Sequence, residues 1–421
     1  MPVHTTRRRL AVGILLASLQ LTAQTAKLTL ADCIRLAESV PSAVSAARQE
    51  ARIVALGVNV ARTSFLPQST FNGGYIYNSA SAAGGRFVAL NGQHEYIATA
   101  NVGLELDTSG RLRAVYARSK VDRDIAEAST RITGRDLRRS VTIAYYRVLA
   151  ARKMAESAEA SLTEARNFEA NTKARFNGGE VAQADVVKAS AQTSSFDQMF
   201  KAAQLEARLA NQELASFWTD DTDKPLDLED TLAQAPPTDD AAAPAYLRRA
   251  EFLIFDLQKQ GFQFDAKRER AALLPQVTVN YQYGIDANRL SYKERGSAAF
   301  ATVNVPIFDW FKARTHAQQF NLRAEQVTTN RSITERTFSR EYENARARAT
   351  SLFEQIQLAQ TQIKLYDDNL RLSQIRYQGG EGPALEVVVA QTQLQQARAN
   401  YFTTLFQYAA ARADLEVARG Q

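Results

Sequence analysis

One phrase occurs twice in this chain, and it limits what the chain can fold into. RFNGGEVAQADVVKA at 175–189 returns as RYQGGEGPALEVVVA at 376–390, an offset (376 less 175) of 201 residues. An unrelated upstream word, Phe65-Leu66-Pro67-Gln68, returns as Leu273-Leu274-Pro275-Gln276 at an offset (274 less 66) of 208. Two different words, in the same order at nearly one offset, require a duplicated unit of about 200 residues. The chain is built as two equivalent halves. A period this long excludes a solenoid of short repeats.

Long helices lie before the first phrase and before the second. From Arg111 to Phe176 there is no proline and one glycine, Gly134; from Phe311 to Gln378 there is neither. At 1.5 Å per residue each stretch predicts a rod of roughly 100 Å, too long for the core of a compact domain. Apolar residues step along the second rod by alternating threes and fours: Leu352, Ile356, Ala359, Ile363, Tyr366, Leu370 and Tyr377, with Ser373 as the polar gap. Phe200, Ala203, Ala207, Ala210, Leu214 and Phe217 repeat the pattern after the first phrase. Val387, Leu394, Tyr401, Leu405, Tyr408 and Leu415 repeat it after the second. This is the seam of antiparallel helices packed knobs into holes. Gly178-Gly179 and Gly379-Gly380 interrupt the rods, and glycine pairs supply the positive φ that a tight helical hairpin needs. The repeated phrase is therefore the tip of a helical hairpin, one in each half.

Upstream of each rod the apolar period falls to two. Val277, Val279, Tyr281, Tyr283 and Ile285 alternate with Thr278, Asn280, Gln282 and Gly284. Ala299, Ala301, Val303, Val305 and Ile307 alternate with Thr302 and Asn304, and Phe300 breaks the rule. In the first half, Phe71, Tyr75 and Tyr77 oppose Thr70, Asn72 and Gly74; Tyr96, Ala98, Ala100, Val102 and Leu104 oppose Thr99, Asn101 and Gly103. Strands of about ten residues with one apolar and one polar face have the length of a tilted transmembrane strand. The same pattern also suits two hairpins packed on a soluble core. Tyrosines near the strand ends favour the membrane.

These elements divide the chain into a first repeat at 24–219 and a second at 246–421, joined by a linker at 220–245 rich in aspartate, alanine and proline. The first repeat predicts strands near 68–78 and 95–107, a long helix near 111–176, a tip at 177–180 and a return helix near 182–218. The second predicts strands near 276–286 and 297–308, a long helix near 311–378, a tip at 379–383 and a return helix near 384–418. The fold class is mainly α with transmembrane β and an internal twofold repeat.

Arg7-Arg8-Arg9 followed by the apolar run Leu10–Leu21 reads as a secretory signal at 1–23, too short to span a bilayer as a helix. Its removal lowers the formal charge from +6 to +3, so the basic balance carries no argument for nucleic acid. Cys33 is the only cysteine, which excludes an internal disulfide. Leu30-Ala31-Asp32-Cys33 approaches a lipobox, but Asp32 stands where a small residue is needed, so Cys33 reads as a small buried helix residue. The three histidines, His4, His94 and His316, have neither metal-ligand spacing nor a nucleophile partner. Gly84-Gly85 lies between strands rather than before a helix, so it is no phosphate loop. No enzyme, cofactor or metal is expected.

Four strands cannot close a barrel, and an open edge in lipid leaves backbone groups unsatisfied at several kcal/mol each. Strands in a membrane would thus have to come from several chains. Eight would fill with their own side chains, whereas twelve, from three chains, would leave a channel. A periplasmic coiled-coil scaffold or adaptor that never enters lipid is the competing reading, but adaptors have one helical hairpin, not two.

Over its mature length the chain resembles the outer-membrane efflux proteins of the TolC type. The matching elements are LTLADCIRLA at 28–37, Phe65-Leu66-Pro67-Gln68, and Ala272-Leu273-Leu274-Pro275-Gln276. To these are added Val305-Pro306-Ile307-Phe308-Asp309 and both glycine tips. The resemblance implies a homotrimer with a twelve-stranded barrel in outer-membrane lipid and a helical tunnel into the periplasm. It also implies a periplasmic adaptor (membrane fusion protein) and an inner-membrane RND or ABC transporter as partners. Glu386 falls where members place an acidic residue at the periplasmic aperture, a position that three copies would make a ring of negative charge favouring cations. Asp185, its counterpart in the first half, and Tyr377 are further aperture candidates. The adaptor-docking candidates are Gly178, Gly179, Glu180 and Val181 at one tip and Gly379, Gly380, Glu381 and Gly382 at the other. Members show an apolar or hydroxyl residue after the glycines; here Glu180 and Glu381 replace it, and Val389 stands where some members carry a second acid.

Overall fold

The computed structural model describes residues 27–80, 92–232 and 245–421. The signal expected at 1–23, Gly84-Gly85 and the linker stretch 233–244 lie outside the described residues. The first half runs α1 (Leu30–Ser39), α2 (Ala43–Thr63), β1 (Gln68–Tyr77), β2 (His94–Leu106), α3 (Arg111–Asn177) and α4 (Gln183–Ala215). The second runs α5 (Ala250–Ala271), β3 (Gln276–Ala287), β4 (Arg295–Asn304), α6 (Lys312–Gln378) and α7 (Ala384–Ala418). α5 ends two residues before Leu273 as α2 ends two before Phe65, so α2 is its counterpart; ahead of it the first half carries α1, parted from α2 at Val40-Pro41, and each of the two is opened by a capping box, Thr29 with Asp32 and Ser42 with Ser45. Proline disfavours the helical conformation of the residue before it, which sets that break.

α3 and α6 are 67 residues each, the two rods of the molecule. α4 packs back along α3, and α7 along α6; α2 also lies on α3, while α5 and α7 both bridge α3 and α6. α5 reaches the sheet-side segments, as the ion pair of Arg118 with Asp265 shows, and α7 reaches the tip-side segments, where Ser161 Oγ donates to Gln395 Oε1. Along the seams Ile356, Ala359, Leu370 and Tyr377 of α6 and Val387, Leu394, Leu405, Tyr408 and Leu415 of α7 are buried.

The largest core lies at mid-length, where Cys33 and Ala37 of α1 meet Tyr145, Leu214 and Tyr408. Burial pushes the Cys33 thiol up to about 11, so it stays a neutral packing group. The linker is stitched to this core: the Tyr145 hydroxyl donates to the Glu229 carbonyl at 2.7 Å, and Leu28 pairs with Leu228. Nearby, Glu251 at the start of α5 accepts from Arg135 of α3 and from Arg249, which also pairs with Glu341 of α6. Burial works to raise the Glu251 carboxyl, but the two guanidinium groups outweigh it and hold it down at about 2.

The four strands form one antiparallel sheet in the order β1-β2-β3-β4. Its register aligns the two faces across the halves. Phe71 stands beside Ala100, Ala100 beside Tyr283, Val102 beside Tyr281 and Tyr281 beside Ala299, a mainly apolar face that Ser69, Arg295 and Ser297 interrupt. On the other face Thr70 stands beside Asn101, Asn101 beside Gln282 and Thr278 beside Thr302, with Phe300 beside Asn280. The apolar alternation continues to Ile307, yet β4 ends at Asn304, because Pro306 has no N–H to give the ladder.

The turns from sheet to rod differ between the halves. Asp107 accepts from the amides of Leu112 and Arg113, and Gly110 takes the left-handed φ of 79°. Asp309 accepts from the amides of Phe311 and Ala313, the helix starts one residue sooner after it than after Asp107, and here Trp310 and Phe311 adopt φ of 56° and 61°. Left-handed backbone at bulky residues costs about 1–3 kcal/mol each.

Candidate functional site

The two helical tips close by the same device. The amide of Glu180 donates to the Arg175 carbonyl and that of Gly179 to Phe176; in the second hairpin Glu381 donates to Arg376 and Gly380 to Tyr377. These are Schellman closures, and the residue at the left-handed position is Gly179 (φ 78°) or Gly380 (φ 76°). Only the second glycine of each pair takes a positive φ; Gly178 and Gly379 remain right-handed caps.

The second tip folds a carboxylate over itself. Glu386, in the first turn of α7, accepts from Arg376 Nη1 at 2.9 Å, and the helix start adds its own favourable dipole. Gly382 makes room for this: a Cβ there would lie 3.2 Å from Glu386 Oε2. Glu381 and Glu180 are exposed at their tips, Glu180 taking a bond from Arg175 Nε. Val181 is half-buried and packs on the cluster of Phe168, Ala189, Leu370, Val387 and Leu394 beneath both tips. Asp185 pairs with Lys188 of its own helix at 3.5 Å, so the two acidic aperture candidates each bond within their own hairpin.

Tyr377 is buried at the junction of the hairpins. Its ring packs on Phe168 with centroids 5.2 Å apart, and its hydroxyl donates to Thr172 Oγ1 at 3.4 Å. Arg175 crosses from the first hairpin: Nη1 donates to the Tyr377 carbonyl at 2.7 Å, and the guanidinium stands 5.0 Å from the ring centroid. A groove of about 540 Å³ opens here, walled by Asn167, Asn171, Arg175, Gln374 and Gln378. Deeper in the first hairpin, bonds from Lys173 and Ser190 hold the Glu169 carboxyl at about 2 and tie α3 to α4. The sequence reading passed over Arg175 and Arg376, although both open the repeated phrase and so recur at its offset.

Among the described residues no helix is long and apolar enough to cross a membrane, and no group of three or more His, Cys, Asp or Glu residues could hold a metal ion. His94 bonds Tyr75, and His316 lies 3.5 Å from Glu269.

The sequence matches the outer membrane efflux protein family over residues 34–219 and 248–421, one segment per half. The chain belongs to this family of outer membrane channels. Three solved structures show the same fold. The outer membrane channel CmeC of Campylobacter jejuni superposes with a TM-score of 0.81 at 17% identity, over 93% of this chain and 85% of its own. CusC, described for the conformational changes of its folding and channel formation, gives 0.84 at 17%, over 94% and 92%. The open state of the MtrE outer membrane channel of Neisseria gonorrhoeae gives 0.80 at 19%, over 93% and 88%. No curated protein matches the chain. The protein is one of the outer membrane.

Proposed function

We propose that three copies close a twelve-stranded barrel and a continuous helical tunnel, which serves as the passive exit duct of an efflux or type I secretion system. The observation that carries this reading is the pair of outer sheet edges. Among the described residues β1 and β4 bond only to their inner neighbours, and every residue of β4 is exposed. Such edges are stable in lipid only when paired to another chain. The rods support the same conclusion. Leu358, Leu365 and Leu372 form an exposed heptad row on α6, and Ile53, Leu56 and Val60 an exposed row on α2. A second apolar seam on helices already packed calls for neighbouring copies. In the trimer the polar face carrying Thr70, Asn101, Gln282 and Thr302 lines the lumen, and the apolar face meets lipid.

At the periplasmic end, three Glu386 carboxylates ring the aperture, with Asp185 at the equivalent place in the first hairpins. The tips Gly178–Val181 and Gly379–Gly382 dock on an adaptor, and a basic adaptor surface would complement Glu180 and Glu381. Energy comes from an inner-membrane transporter, and adaptor binding opens the aperture by contacting the open state better. The test is outer-membrane fractionation, detergent extraction and mass determination. A stable trimer is expected; a soluble monomer or dimer would overturn the duct.

A further inference from the structure

The turn from β4 into α6 exposes side chains that the protomer itself leaves uncovered. Ile307 is 96% exposed and Trp310 83%, and Phe308 and Phe311 are also exposed. Their ring contacts are with one another: Phe308 lies 4.8 Å from Trp310 and 6.1 Å from Phe311, centroid to centroid. The equivalent turn of the first half is polar and satisfied within the chain. There the Thr108 hydroxyl donates to the Pro275 carbonyl, Ser109 bonds Gln276, and Arg111 and Arg113 pair with Glu105 and Asp107. In the second half Lys312 and Arg314 are exposed and have no acidic partner among the described residues. Both stand in the first turn of α6, where the helix dipole disfavours cations. Strained aromatics and misplaced cations together have no reason inside the protomer.

We propose that Trp310 and Phe311, with Lys312 and Arg314, form an interfacial anchor that binds the phospholipid surface where the sheet leaves the bilayer. The site fits this partner in three ways. It directly follows a strand whose outward apolar row, Ala299, Ala301 and Val303, continues by alternation into Val305 and Ile307. Aromatic rings settle at the headgroup level, half in hydrocarbon and half in water. Free lysine and arginine beside them meet lipid phosphates, whose charge offsets what the helix start opposes. The left-handed backbone aims two rings outward at once, which supplies a reason for Trp310 and Phe311 where the first half uses Gly110. This assignment rests on the sheet entering the bilayer.

The chain has two tryptophans, so Trp218→Phe leaves Trp310 as its sole indole. The variant is reconstituted in phosphatidylethanolamine and phosphatidylglycerol vesicles brominated either near the glycerol or near the chain ends. Trp310 emission is expected to be blue-shifted and lost mainly with the shallow bromines. A control carrying Tyr281→Trp in a background of Trp218→Phe and Trp310→Phe reports the middle of the outward face and is expected to be quenched by the deep bromines. If that control is quenched while Trp310 is unquenched and blue-shifted, a neighbouring copy covers the turn. If Trp310 is unquenched and red-shifted, water does. Either result overturns the anchor and leaves the barrel standing. If neither indole is quenched, both readings fall.

Discussion

Arg175→Ala removes the bond that crosses from the first hairpin to the second, and its effect can be sized from the contacts. The Arg175 side chain is 22% exposed, so solvent does not screen it fully. Its bond to the Tyr377 carbonyl at 2.7 Å is charge-assisted and ends on a helix C-terminus, worth about 1.5–3 kcal/mol. The guanidinium beside the Tyr377 ring adds about 0.5–1 kcal/mol. The pair with Glu180 stays inside the first hairpin, and Glu180 is 60% exposed, so it adds nothing to the coupling between hairpins. The coupling is therefore about 2–4 kcal/mol, equivalent to about 30- to 700-fold in an equilibrium between joined and parted tips. If opening parts the hairpins, Arg175→Ala channels in planar bilayers should show a large rise in open probability, and Arg175→Lys a smaller one. Glu180→Ala is the control and should behave as the native channel. An open probability for Arg175→Ala equal to that of Glu180→Ala would refute the assignment of this bond to the closed state.

Glu386→Ala should reduce cation preference in the same bilayers; unchanged conductance and selectivity would remove Glu386 from the aperture. Glu251 lies below its ordinary value of 4.5, at about 2, so its stabilisation is present above 4.5 and disappears as pH falls toward 2. That shift amounts to about 3 kcal/mol. The urea midpoint of the helical signal should therefore drop as pH falls from about 4.5 toward about 2, and Glu251→Gln should make the drop shallower by this one carboxyl's share, that of Glu169 remaining; an identical slope in the variant would contradict it. At Gly380 a Cβ would meet nothing within 4 Å, so Gly380→Ala should cost only the left-handed backbone, about 1–2 kcal/mol, and Gly380→Asn less. Equal thermal midpoints for all three chains would show that this backbone carries no strain.

The fold was legible to the extent that it is periodic. A step of three and four locates the buried seams, a step of two locates four amphipathic strands, and the doubled phrase reveals the twofold plan before any contact is known. What escaped the reading is set by tertiary contact. Nothing local to Tyr96–Leu106 announces that it pairs with Val277–Ala287 of the other half, and this pairing is what makes one sheet of two hairpins. Arg175 and Tyr377 are 202 residues apart, so their bond could be found only by asking why an arginine opens both phrases. β4 was read too far because Val305 and Ile307, on either side of Pro306, keep the alternation beyond the end of the ladder at Asn304. Duplication also shows where to look for function. Two halves descended from one plan fold alike wherever folding alone is at stake, so their departures mark other demands. Arg175 reaches across to Tyr377, while Arg376 at the same place turns back to Glu386. Val181 packs beneath one tip, while Gly382 at the other leaves room for a carboxylate. Ser109 and Gly110 close one turn within the chain, while Trp310 and Phe311 hold the other turn outward. These differences fall at the tips and at the foot of the sheet, the two places where the proposed duct meets an adaptor and a membrane.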